Sequence, residues 1–229
     1  MFKIQLWLNQ PPAAFGLKGP PMKRSYKQNC ALALASDVLC ERWTLLIFRE
    51  LLIRPCRFKD LNDVLIGMGT NLLSSRLKEL EQAQLIEKQN PADKRSHYQL
   101  TQTGISVEPI VLQLISWGHS HLSGEDEFSH QPHWDLLAMK ALFSVQKFQS
   151  AFTATEVFTL QFISDDFIGW AQASHEGMQI GLGLTNEQLE VNADASINMN
   201  VQDFQKAAQQ GELNDKKLQT FYGCFISSS

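Results

Sequence analysis

Cysteine is scarce in this chain: only Cys30, Cys40, Cys56 and Cys224 occur, with no CxxC pair and no zinc-like spacing. That excludes a disulfide framework and points to free thiols in a reducing, cytosolic compartment. No apolar run approaches the ~20 residues of a membrane span, so no membrane partner is expected. There is no phosphate-cradling glycine loop, no nucleophile elbow and no convincing carboxylate pair. The sequence therefore predicts neither an enzyme nor a cofactor. His119, His121, His130 and His133 with Glu125, Asp126 and Glu127 have a loose metal-site look, but spacing across a polar linker is poor ground for a ligand set, and no metal is expected.

Positive charge is in deficit overall, with 20 Lys and Arg against 24 Asp and Glu and a net charge of −4. The deficit is not uniform. Residues 22–124 hold 13 cations against 10 anions, whereas residues 125–229 hold 5 against 14. The first half is thus the one able to meet phosphates.

At 229 residues the chain is long for one domain and comfortable for two. Residues 1–21 carry one short apolar run broken by Gln5 and then a Pro/Gly/Ala-rich piece, too polar for a secretory signal, and are expected to be a tail. Met22, followed by the basic stretch Lys23 to Lys27, is an alternative first residue, which would make the tail a misassigned start. Residues 22–122 read as a mainly α winged helix-turn-helix domain for DNA binding and dimerisation. Ser123 to Gln131 has the composition of a linker. Residues 132–229 read as an α+β domain with a single sheet and helices on one side.

The winged reading rests on order. Helices are expected at Ala31 to Leu39 and at Trp43 to Leu52, the second apolar nearly all round and hence central. A short helix from Phe58 to Leu65 leads through Ile66-Gly67-Met68-Gly69 into a second from Thr70 to about Gln84, with Leu73, Leu77 and Leu80 inward. Two alternating runs, Leu85 to Gln89 and Ser96 to Leu100, then flank a turn-rich tip. A long helix, roughly Ser106 to His121, carries more apolar surface than this domain can bury, and with the first helix it is the candidate dimer interface. In the second half, one helix from Trp134 to Gln149 precedes strands at Glu156 to Ile163, Phe167 to Ser174, Met178 to Leu184 and Ala195 to Met199. A helix from Val201 to Gln210 and a last helical piece follow.

Cys30-Ala31-Leu32-Ala33, the block Glu41 to Leu51, Arg57-Phe58-Lys59-Asp60-Leu61, Asn71 to Glu81, Tyr98 to Thr101, Gly104 and Trp117-Gly118 stand in one order. Together they resemble the HxlR family of winged-helix transcription regulators, relatives of the MarR type. The resemblance implies a homodimer that binds double-stranded DNA by sequence. Ala31 stands where the family often has proline, and the tip Pro91 to Arg95 has a look closer to the MarR wing. Ile197 to Asn200 and Gly211-Glu212-Leu213 weakly resemble a sterol-carrier-type domain, which would imply a small apolar ligand.

Thr70, Asn71, Ser74, Ser75 and Lys78 are the candidate recognition-helix contacts, since this part of the helix enters the major groove. Arg76, nearer the buried stripe, is open between base reading, phosphate clamping and a structural role. Lys94 and Arg95 are the candidate wing contacts, while His97 reads as a surface histidine. Cys30 is either a redox switch, as in some relatives, or a small buried apolar residue. Phe143, Phe148, Phe158, Phe162 and Trp170 either line a ligand pocket or form core. The expected function is a dimeric DNA-binding regulator modulated by a small apolar ligand. The alternative is a small-molecule or lipid carrier whose winged domain only dimerises.

Overall fold

A computed structural model describes residues 25–93, 95–122, 129–164, 167–183, 194–197, 201–213 and 215–225. The expected tail, Lys94, the acidic stretch Glu125-Asp126-Glu127 and the Asn198-Met199-Asn200 motif lie outside them. No helix among the described residues is long and apolar enough to cross a membrane.

The first half opens with α1 (Ala31–Leu39) and α2 (Thr44–Ile53). α2 is central: Ile47, Phe48, Leu51 and Ile53 are buried, and it packs against α1 and against later elements from both halves. Trp43 precedes it in the left-handed region at φ 79°, a strained conformation for a bulky residue. The strain has a use, because the indole then underlies the turn at Gly67. α3 (Phe58–Val64) and α4 (Thr70–Gln82) follow. β1 (Ile86–Lys88) pairs antiparallel with β2 (Tyr98–Leu100), and Cys56 joins as a bridge to Tyr98. α5 (Gln102–Ile105) then turns beneath the hairpin. A Cβ on Gly104 would stand 2.0 Å from the Leu85 carbonyl oxygen, so only glycine allows α5 to seat there. α6 (Glu108–His119) closes this half.

The second half begins with α7 (Pro132–Leu142) and α8 (Val145–Ala151). The single helix expected from Trp134 to Gln149 is therefore broken. Phe143 is extended and bridges Phe225, the Ser144 amide donates to the Cys224 carbonyl at 2.9 Å, and the Ser144 hydroxyl caps α8. A pairing that distant in sequence overrides local periodicity. The strands β3 (Phe158–Ser164), β4 (Phe167–Ser174), β5 (Gly177–Leu182) and β6 (Ala195–Ile197) form a sheet of order β5-β4-β3-β6. β6 runs parallel to β3; the other pairings are antiparallel. α9 (Val201–Gln209) and α10 (Lys216–Tyr222) complete the described fold.

Two cores result. The first gathers α2, the leucines of α3 and α4 and the wing base; the second gathers the phenylalanines of the sheet and the late helices. α7 serves both, with Leu137 in the first core and its neighbours Leu136 and Met139 in the second.

Candidate nucleic-acid interface

The interface is built on the amphipathicity of α4. Leu73, Leu77 and Leu80 are buried, which turns Asn71, Ser74 and Lys78 to solvent one helical face away. Thr70, Asn71, Ser74 and Lys78 are exposed, while Ser75 is half-buried and donates its hydroxyl to Glu79 at 3.2 Å. The first turn of α4 carries no acidic residue, and its N-cap is Gly69, so the amides there are open to an anion. The approach from α3 is fixed by Gly67 at φ +89° and by the Asp60 carboxylate, which accepts the Arg57 amide at 2.9 Å.

Arg76 stands apart from the other candidates. It is 8% exposed, with Nη1 2.6 Å from Glu79 and Nη2 3.1 Å from Glu41. Both ends of the guanidinium are engaged within the fold, which locks the rotational setting of α4 against the turn between α1 and α2. Glu41 carries no sign of this role in the sequence beyond its place in the Glu41-Arg42-Trp43 block.

The wing tip is tied internally. The Asn90 amide donates to the Ser96 hydroxyl at 2.7 Å, and the Arg95 amide donates to the Asp93 carboxylate at 2.8 Å. Arg95 itself is exposed, and His97 is half-buried.

Outside this surface the remaining candidates separate. Cys30 is exposed at the N-cap of α1, so the buried-apolar reading does not hold; the amides of Ala33 and Leu32 hold its thiol below the ordinary range. Cys56 is the contrasting case, buried and pushed up to about 12 by desolvation. Phe143, Phe148, Phe158 and Phe162 come together in the second core, for example with Phe148 and Phe152 stacked at 4.4 Å. Trp170 does not join them. It pairs across the sheet with Gln161, on the face opposite Leu160 and Phe162, where a Cβ on Gly181 would meet the indole at 2.5 Å. The histidines also disperse: His130 meets Asp135 at 3.0 Å, His133 meets Glu50 at 2.8 Å, and His121 meets the Trp117 carbonyl at 2.8 Å.

Helix, glycine turn, outward-facing second helix and bridged hairpin define a winged helix-turn-helix, the class of fold that presents one helix to a DNA groove. The HxlR-like helix-turn-helix family profile matches residues 38–126. The chain is 31% identical over 85 residues to the HTH-type transcriptional regulator YodB of Bacillus subtilis (strain 168), spanning 36% of this chain and 76% of YodB. It is 33% identical over 87 residues to the HTH-type transcriptional regulator YvaP of the same organism, spanning 36% and 79%. The solved structure of quinone-bound YodB from B. subtilis is similar at TM-score 0.35 and 30% identity, covering 38% of this chain and 94% of that one. The chain belongs to the HxlR-like helix-turn-helix family and is a DNA-binding transcriptional regulator.

Proposed function

We propose that the protein acts as a homodimer on a pseudo-palindromic operator. Asn71 and Ser74, flanked by Thr70 and Ser75, read the major groove, Lys78 holds the phosphate backbone beside them, and Arg95 with Lys94 grips the adjacent minor groove or its phosphates. The observation that carries this reading is the split of α4 into a face buried through Leu73, Leu77 and Leu80 and an exposed face without internal partners at Asn71, Ser74 or Lys78 among the described residues. Arg76 acts by positioning the helix.

The dimer reading draws on a second observation. Val111 and Ile115 of α6 turn into the core, but Ile110, Leu114 and Trp117 stay exposed, Trp117 by 68%. Leu32 and Leu34 of α1 are exposed as well, Leu32 by 74%. Pairing such surfaces about a two-fold axis would bury them and place the recognition helices about 34–36 Å apart.

The second half is read as an α+β unit, helices on one face of its sheet, that senses a small apolar molecule. Support comes from α7, which joins the second core to the first and gives any change there a route to the DNA-binding half. The Cys30 thiol offers an independent, redox route to the same output.

Selection of bound duplexes from a random pool, followed by mobility-shift titration at several salt concentrations, tests the central reading. Selective binding with a steep salt slope is expected; weak, sequence-indifferent binding would leave only the carrier alternative.

A further inference from the structure

Glu50 is the one carboxylate among the buried side chains described, 4% exposed on the central helix α2. A charge at that depth is costly unless it is paired and fully hydrogen-bonded. One partner is local: Arg49 Nε donates to Oε1 at 2.8 Å. The other two come from the first turn of α7. His133 Nε2 lies 2.8 Å from Oε2, and the Trp134 indole N–H donates to Oε1 at 2.8 Å. The Arg49 guanidinium in turn stacks 3.7 Å over the Trp134 ring.

Burial alone would push the Glu50 carboxyl up. The His133 hydrogen bond and the Arg49 charge outweigh burial and hold it below the ordinary carboxylate range. Further along α7, Lys140 meets Glu108 of α6 at 2.5 Å. Between these two ties, Leu137 enters the first core while Leu136 and Met139 enter the second.

We propose that the Glu50 cluster is the transmission latch of the regulator: it fixes α7, and with it the second half's sheet, in one register on α2 and α6. This rests on the DNA-binding reading above. Leucine contacts alone would allow α7 to slide by small steps. Sliding past Glu50 instead takes away its two α7 partners and leaves a buried carboxylate with Arg49 alone, so the two halves move between discrete settings rather than continuously. Because α2 underlies both α1 and α6, each setting corresponds to one placement of the recognition helices. A ligand held by the second half regulates DNA binding by favouring one setting over the other.

The test compares the full-length wild type with Glu50→Gln, His133→Gln and the double variant, by affinity for a duplex selected by the wild type and by hydrogen exchange. Glu50→Gln keeps an acceptor for Trp134 but loses the charge; His133→Gln keeps a donor. Each single change is expected to lower affinity about 5-fold or more and to speed exchange in α2 and α6 as well as α7. The double variant is expected to be no worse than the worse single. Unchanged affinity in folded variants, or faster exchange confined to α7, overturns the latch. If the wild type selects no duplex, the DNA reading itself has failed, and the exchange pattern alone decides the latch. If Glu50→Gln does not fold, His133→Gln at the edge of the cluster carries the test.

Discussion

Arg76 of the recognition helix reaches Glu41 Oε2 at 3.1 Å, across thirty-five residues of chain. With Glu79 on its other side, both terminal nitrogens of the guanidinium are engaged inside the fold. Arg76→Met should lower stability by about 1–3 kcal/mol, nearer the low end because both carboxylates keep some solvent contact. Glu41→Gln should lose less. Thermal denaturation reads the loss, and base preference at the operator should be unchanged in both; a switch of preferred base by Arg76→Met would return that residue to direct readout.

Asn71, Ser74 and Lys78 should behave in the opposite way. Alanine at Asn71 or Ser74 should cost roughly 1–3 kcal/mol of operator affinity with no change in melting temperature. Lys78→Ala should weaken binding to all duplexes alike and reduce the salt slope by about one. Titrations of specific and scrambled duplexes at several ionic strengths separate the two classes.

Trp117→Glu places a charge in the middle of the exposed apolar strip of α6. If α6 carries the proposed dimer contact, sedimentation should show a dimer for the parent chain and a monomer for the variant, and operator binding should fall with it. A variant that remains dimeric would move the self-association surface away from α6.

The thiols should differ in reactivity with pH. Cys30 is exposed and its pKa is lowered, so its thiolate persists to lower pH than that of an ordinary cysteine, and at any given pH below that range its alkylation should outpace that of an ordinary exposed thiol. Cys56 is buried with its pKa raised, so it should stay unmodified until the fold opens. The sign follows from the ionised form being the nucleophile. Peptide mapping of alkylation against pH checks both, and equal rates at the two sites would contradict the assigned environments.

The winged half was legible because its determinants are local. Leucines at helical spacing, a glycine turn and a turn-rich hairpin each act within a few residues, and the structure places α3, α4 and the wing strands close to where those signals put them. The features that were not legible depend on partners far along the chain. Ala141 to Phe148 reads as continuous helix until Phe225 and Cys224 pair with Phe143 and Ser144. Trp170 groups with the phenylalanines by composition, yet the register against Gln161 sends it to the other face. Glu50 on an apolar helix gave no hint of His133 and Trp134, more than eighty residues away.

Two adjacent leucines on α7 insert into different interiors, Leu137 into the one beneath the recognition helix and Leu136 into the one beneath the sheet. Helix α7 cannot unwind without emptying both. A calorimetric trace of the intact chain should consequently show one cooperative endotherm, and cleavage between residues 122 and 132 should leave neither fragment with a complete interior.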